Sequence, residues 1–374
     1  MTNFIHTFKQ QMLCIICCFS FLYTQSQPSY LTEQAEISVL TCGTGDEMYT
    51  LFGHTALRVK DFNQNLDVVY NWGMFDFRTP NFYSKFVKGN LLYYLDVSSF
   101  SDFFNSYTLD NRQVIEQELH LSYNQKMAIW NDINSQLKGP KRYYTYGFIK
   151  NNCTTKVVDV INNATQKPLN ANFPANNHSY RFILNEGLNA HYFEKLGINL
   201  LFGYPTNQQN KLIFLPVKLQ DALQYNQEIV QKEKVLYAKK IEQKGISLNS
   251  VYTLWGIVLL VALFAFKHSA QKIYFLVTAV FSLFFLAISL YSQHEELFLN
   301  VWIFFYNPLF FLALLFRSIK MLFVAIALTV IGLIFMGLEL IQVAAPLITL
   351  HLVYIVALFL RMRKILPKLK VTNV

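Results

Sequence analysis

From Val251 to Leu360 the chain is almost continuously apolar, and this stretch restricts the fold more than any other. In hydrocarbon every backbone N–H and C=O must be bonded within the protein, so an apolar run of this length reads as a set of membrane-crossing helices. Five spans are expected: Tyr252–Phe266, Lys272–Tyr291, Leu297–Phe316, Met321–Leu340 and Ala344–Leu360. The first and last are near the short limit of roughly 17 residues for a crossing. Asn307-Pro308 interrupts the third. A mean hydropathy of +0.25 is high for a soluble protein and agrees with a membrane half of this size.

Charges between the spans set the expected orientation. Lys267 and Lys272 separate spans one and two, and Arg317 and Lys320 separate spans three and four. Arg361, Arg363, Lys364, Lys368 and Lys370 follow the fifth, whereas Gln293–Glu296 and Gln342–Pro346 carry no Lys or Arg. The positive-inside rule puts the basic tail, residues 362–374, in the cytoplasm and the domain before the spans outside. Lys232, Lys234, Lys239, Lys240 and Lys244 run against the rule. They fall in an expected charged connector over 228–250, read as helical from Glu228 to Lys244, where they can rest on anionic headgroups. The formal net charge of +9 is therefore a membrane-surface feature and does not argue for a nucleic-acid partner.

The N-terminus gives the same orientation. Lys9 precedes an apolar run from Met12 to Tyr23, and the small Ser26 follows, the layout of a secretory signal over residues 1–26. Cleavage would remove Cys14, Cys17 and Cys18; retention would leave an anchor. Cys14-Ile15-Ile16-Cys17 matches a redox Cys-x-x-Cys only by letter, since it lies inside the apolar run. After export Cys42 and Cys153 remain, either as one disulfide or as free thiols.

Residues 27–227 read as an outer domain. Glu36–Thr41 is a first strand, and Cys42–Asp46 a turn. Leu51–Val59 alternates, with Thr55, Leu57 and Val59 on one face and His54, Ala56 and Arg58 on the other. Asp67–Trp72 is its partner strand. A short helix bearing Phe82, Tyr83 and Phe86 follows Thr79-Pro80. Strands are expected at Leu91–Val97 and Gln113–Leu121, and helices at Phe100–Tyr107, Asn124–Leu137, Tyr180–Leu188 and His191–Leu201. Leu212–Pro216 reads as a short extended piece. This mixture is α+β with a small antiparallel sheet.

One stretch of this domain carries chemistry. Asn151-Asn152-Cys153-Thr154-Thr155-Lys156 stands before Val157, Val158, Val160 and Ile161. Asparagine is a good N-cap, so a helix is expected to start here and run to about Asn163. Positions 153, 157, 160 and 161 share its packed face. Cys153 then sits at the positive end of the helix dipole, a place that favours the thiolate. Free cysteine is also a common inert core residue, so the stretch alone does not decide. No P-loop, zinc-finger spacing, His-Glu-x-x-His or Gly-x-Ser-x-Gly elbow is present, and no metal or cofactor is expected.

Leu51–Val59, Tyr70-Asn71-Trp72-Gly73-Met74-Phe75-Asp76-Phe77 and Asn151–Lys156 together resemble the Lnb-type lipoprotein N-acyltransferases, in which an outer domain precedes several spans. The order of a His strand before a Cys helix also resembles circularly permuted papain-like proteins of the lecithin:retinol acyltransferase type. The resemblance implies a permuted papain-like outer domain followed by an all-α, five-helix membrane domain over 251–361, in a bacterial inner membrane with the outer domain in the periplasm. It implies Cys153 as nucleophile and His54 as base, with Asn71, Asp46 or Asp76 orienting the imidazole. The acyl donor would be a membrane phospholipid and the acceptor the N-terminal α-amine of a diacylated lipoprotein. Arg58, Arg78, Asn152, Glu339 and His351 are candidate substrate-binding residues. A membrane-held cysteine hydrolase and a disulfide-bonded interaction domain are the alternatives.

Overall fold

The computed structural model describes residues 28–226, 228–240 and 247–371. The expected signal segment, with Cys14, Cys17 and Cys18, lies outside them. In chain order the outer domain runs β1 (Glu36–Cys42), β2 (His54–Asp61), β3 (Leu66–Met74), α1 (Phe82–Lys88), β4 (Leu92–Ser99), α2 (Phe100–Leu109), β5 (Val114–Leu119), α3 (Tyr123–Lys138), β6 (Tyr143–Thr145) and α4 (Cys153–Thr165). It continues with α5 (Tyr180–Gly187), α6 (Tyr192–Leu201), α7 (Pro216–Tyr225) and β7 (Val230–Tyr237). The strands form one antiparallel sheet in the order β6-β4-β3-β2-β1-β5-β7.

The alternation read from the sequence decides which residues go inside. Ile37, Val39, Leu57, Val59, Tyr70 and Trp72 face α3, α4 and α7 and form the main core with Trp130, Val157 and Ile161. Leu40, Cys42, Ala56 and Val69 face the other way, against Phe103 of α2. Two capping boxes start the helices of the main face. Ser122 exchanges bonds with Gln125 at α3, and Asn152 with Thr155 at α4.

The charged segment after Glu228 is not a helical connector. It is the edge strand β7, in which Lys232 stands opposite Glu118 and Lys234 opposite Glu116. Opposite charges across a strand pair are stabilising, and a helix would have lost both pairings. Two of the lysines that opposed the positive-inside rule thus belong to the sheet rather than to a headgroup-bound helix.

The remainder is helical: α8 (Val251–Ala262), α9 (His268–Tyr291), α10 (Trp302–Phe305), α11 (Leu309–Phe316), α12 (Ile319–Phe335) and α13 (Leu338–Val371). Three segments are long and apolar enough to cross a membrane, His268–Tyr291, Glu295–Phe316 and Leu338–Lys364, while Val251–Ala262 and Ile319–Phe335 are apolar but shorter. Among the described residues the five expected spans are therefore three long segments and two short helices, and the last, expected to be short, lies in the longest helix. Asn307-Pro308 does break the third: the Asn307 amide donates to the Phe304 carbonyl, which loses its helical donor at Pro308, and to the Ala325 carbonyl of α12. Glu339 opens α13 rather than closing the helix before it, because the chain leaves helical geometry at Met336.

The sheet domain is bonded to the end of the bundle whose loops carry no Lys or Arg. Glu296 accepts from the Ile149 and Gly203 amides, through its carboxylate at 2.9 Å and its carbonyl at 2.6 Å. Lys150 pairs with Glu295, and Trp302 donates its indole N–H to the Asn199 carbonyl at 3.0 Å. Ile149 lies four residues before Cys153, so the bundle braces the loop that leads into α4.

Candidate active site

Cys153 is the first residue of α4, and the bonds of its neighbour hold it there. The Asn152 side chain accepts from the Thr155 amide at 3.0 Å and donates to the Phe148 and Phe214 carbonyls at 2.8 and 2.9 Å. Every polar atom of that side chain is engaged, so Asn152 is a cap and a loop fastener rather than a substrate ligand. A second fastener joins α4 to β2: the Thr55 and Thr154 hydroxyls are 3.0 Å apart. Each is next in sequence to a reactive residue, so this contact brings His54 and Cys153 together.

Asn71 completes the cluster. His54 Nε2 is 3.2 Å from Asn71 Oδ1. The Asn71 amide nitrogen points to the Val69 carbonyl at 3.4 Å, which leaves its oxygen for the imidazole. An amide oxygen only accepts, so the Nε2 in this contact carries the proton and Nδ1 keeps its lone pair. The register Arg58↔Val69 and Leu57↔Tyr70, continued by one pair, puts Asn71 one diagonal from His54. Asp76 is occupied by Arg78 at 2.8 Å, and Asp46 lies on an exposed loop.

The thiol is half-buried and free. Burial pushes it up, but the charge and hydrogen bond of His54, the Thr55 N–H and the Thr154 hydroxyl outweigh that and hold it below the ordinary thiol value. Cys42 behaves in the opposite way. Burial drives its thiol far up, with Arg112 and a Tyr107 hydrogen bond only partly offsetting it, so Cys42 stays protonated. It stands opposite His54 in the β1–β2 register and is not bonded to Cys153, which removes the disulfide reading. Tyr107 stacks flat against the His54 ring, at 6.5 Å and 8°, and backs it from the α2 side.

Sequence reasoning missed the other wall of the site. Gly73 has φ +94° and sits where the β3–β4 register slips. A Cβ there would stand 3.7 Å from Cys153 Cβ, 3.9 Å from the Tyr146 ring and 4.0 Å from the Tyr144 hydroxyl. Those are ordinary contact distances, so the missing side chain leaves a gap of about one methyl group beside Cys153. Tyr144 is kept protonated by burial, and its hydroxyl lies by the Gly73 backbone without a well-formed hydrogen bond. The Tyr-rich stretch before Cys153 was the only signal for it in the sequence.

The remaining candidates are elsewhere. Arg58 is buried, bonded to Asp67 at 2.7 and 2.8 Å and to Glu116 at 3.0 Å, with its guanidinium 3.3 Å from the Phe100 ring centre. Two carboxylates already hold it, so it is not a free phosphate ligand. Arg78 is exposed and paired with Asp76. Glu339 is 3.5 Å from the Ser179 hydroxyl, at the junction of the sheet domain and the bundle. His351 is fully buried among the Phe305, Tyr306 and Phe310 rings, its Nδ1 3.1 Å from the Tyr274 hydroxyl. No group of metal-ligating side chains occurs among the described residues.

Residues 23–186 match the family described as the Lnb N-terminal periplasmic domain. The match contains His54, Asn71, Gly73 and Cys153 and ends within α5, so the resemblance seen in three sequence segments holds over the sheet domain as far as that helix. Comparison with curated proteins and with solved structures gave no match.

Proposed function

We propose that this chain, an Lnb-type periplasmic domain docked on an apolar helical bundle, is a lipoprotein N-acyltransferase working through a thioester at Cys153. The observation that carries the reading is the Cys153–His54–Asn71 cluster, bordered by Gly73 and held against an apolar helical bundle. The order of His strand before Cys helix supports reading the domain as a permuted papain-like thiol enzyme.

The chemistry follows from the protonation states. With Nε2–H on Asn71, Nδ1 takes the Cys153 proton, and the thiolate attacks an ester carbonyl of a phospholipid. The oxygen that gains charge points into the space at Gly73. There the Tyr144 hydroxyl and the N–H groups at the start of α4 are the donors we assign to it. Collapse breaks the ester C–O bond, the imidazolium protonates the departing lysolipid oxygen, and the acyl group stays on sulfur. The α-amine of a lipid-modified N-terminal cysteine then attacks the thioester. His54 takes a proton from the amine and returns it to the sulfur as the amide forms.

Two measurements test this. Mass spectrometry of lipoprotein N-termini should show one additional acyl group when the chain is present and none when it is absent. Free fatty acid release without N-acylation would favour the hydrolase alternative, with the same cysteine and histidine. Tyr144→Phe should lower the acylation rate of Cys153 by about 10- to 100-fold with little change in thermal stability, because a transition-state donor is lost and the ring remains. An unchanged rate would remove Tyr144 from the mechanism.

A further inference from the structure

We propose that α1 and the aromatic rings behind it form the track along which a phospholipid acyl chain reaches Cys153; this rests on the acyl-transfer reading and names the route of its donor. The rings are continuous. Phe86 and Phe82 are 6.5 Å apart, Phe82 and Phe75 5.9 Å, Phe75 and Tyr93 5.3 Å, and Tyr93 and Tyr146 4.5 Å. Tyr146 then borders the space at Gly73, beside the thiol. Phe77 adds to the outer end, 5.0 Å from both Phe75 and Phe82.

The outer end of this strip is at the membrane. Three contacts fix α1 to the turn that ends α9: the Ser292 hydroxyl donates to the Val87 carbonyl at 2.7 Å, the Gln293 amide to Lys88 at 2.8 Å, and His294 Nε2 to Phe86 at 2.9 Å. That turn is where a membrane-length helix leaves the apolar layer. Phe77 is 61% exposed, Tyr83 77% and Phe86 47%, a clustered apolar surface that water alone would penalise. Lys85 and Lys88 lie on the same helix, with Lys88 Nζ 5.8 Å over the Tyr291 ring. Aromatics with long cations at the end of a span are the pattern of an interfacial anchor, with the ammonium groups among phosphates. A strip that starts in the lipid layer and ends at a nucleophile has an acyl chain as its fitting occupant. Asp76 and Arg78, next to Phe75 and Phe77 in the chain, neutralise one another.

The test uses the full chain in nanodiscs containing phosphatidylglycerol and phosphatidylethanolamine. A phospholipid with a diazirine near one acyl terminus should crosslink to residues 75–88 in the Cys153→Ala protein, which cannot turn over. Labelling confined to α9 or α13 would overturn the track even if acyl transfer stands. Labelling of residues 75–88 by a diacylated lipopeptide probe, and not by the phospholipid, would overturn its assignment to the donor. In a second measurement, Phe77→Ser/Phe86→Ser should lower the ratio of Cys153 acylation by p-nitrophenyl palmitate to that by p-nitrophenyl acetate about tenfold, since both side chains contact only a long chain. An unchanged ratio would count against the proposal. Crosslinking at α1 with no acylation by either ester would retain the track and discard the thioester chemistry.

Discussion

Full-length protein carrying Cys153→Ala is expected to form no acyl-enzyme and to leave lipoprotein N-termini without the additional acyl group. In the proposed mechanism the thiol is the reacting atom in both half-reactions, so no other residue could replace it. Cys42, the other cysteine of the described domain, is buried and held protonated. Intact-protein mass after exposure to phospholipid vesicles should show one acyl adduct on the wild type, lost when the acceptor is added. Cys153→Ser should fall about a thousandfold or more, because a hydroxyl beside the same imidazole is far less ionised than a thiol. Cys42→Ala should retain most of the adduct, since Cys42 touches the Tyr107 layer behind His54 and not the gap at Gly73. An acyl adduct of equal yield on the Cys153→Ala protein would refute the thioester route.

The second large effect is expected from His54→Ala, read as the pH dependence of Cys153 alkylation by iodoacetamide. Burial alone raises this thiol; the charge and hydrogen bond of His54 are the first two influences that bring it down. In the wild type, reactivity should rise with pH through an inflection below the ordinary thiol value of about 8.5 and then level off. Without His54 the burial cost remains and its main compensation is gone, so the inflection moves up. Near neutral pH the alkylation rate should then fall about 10- to 100-fold, because a smaller share of the thiol is ionised. Asn71→Ala should move the profile in the same direction by less, because it frees the ring orientation without removing the charge. Coincident profiles for wild type and His54→Ala would show that the two side chains do not interact in solution.

Local patterns in the sequence determined the pieces. Asn152 before an apolar 3.6-residue period was enough to start a helix at Cys153, because capping and amphipathicity act within a few residues. The alternation over β2 placed Leu57 and Val59 inside, and His54 on the face opposite them. The apolar stretches after Val251 were legible as membrane helices, and the first as a short one, although the Met336-Gly337 break and the short α12 were not, since hydropathy averages over such details.

Tertiary structure decided the rest, through contacts between residues far apart in the chain. Lys232 and Lys234 become part of a strand because Glu118 and Glu116 stand opposite them, which no local reading of a charged run can show. Arg58 resembled a phosphate ligand until Asp67 and Glu116 closed on it. Asn71 was one of three candidates to orient His54, and the β2–β3 register with the Val69 carbonyl brings its oxygen to the ring. The wall beside the thiol forms where the β3 bulge at Gly73 meets Tyr144, Tyr146 and the start of α4. Types and periods of residues are local and can be read in order; a lone pair aimed at a thiol depends on strand register and on packing across about a hundred residues of chain, and only the folded sheet supplies both.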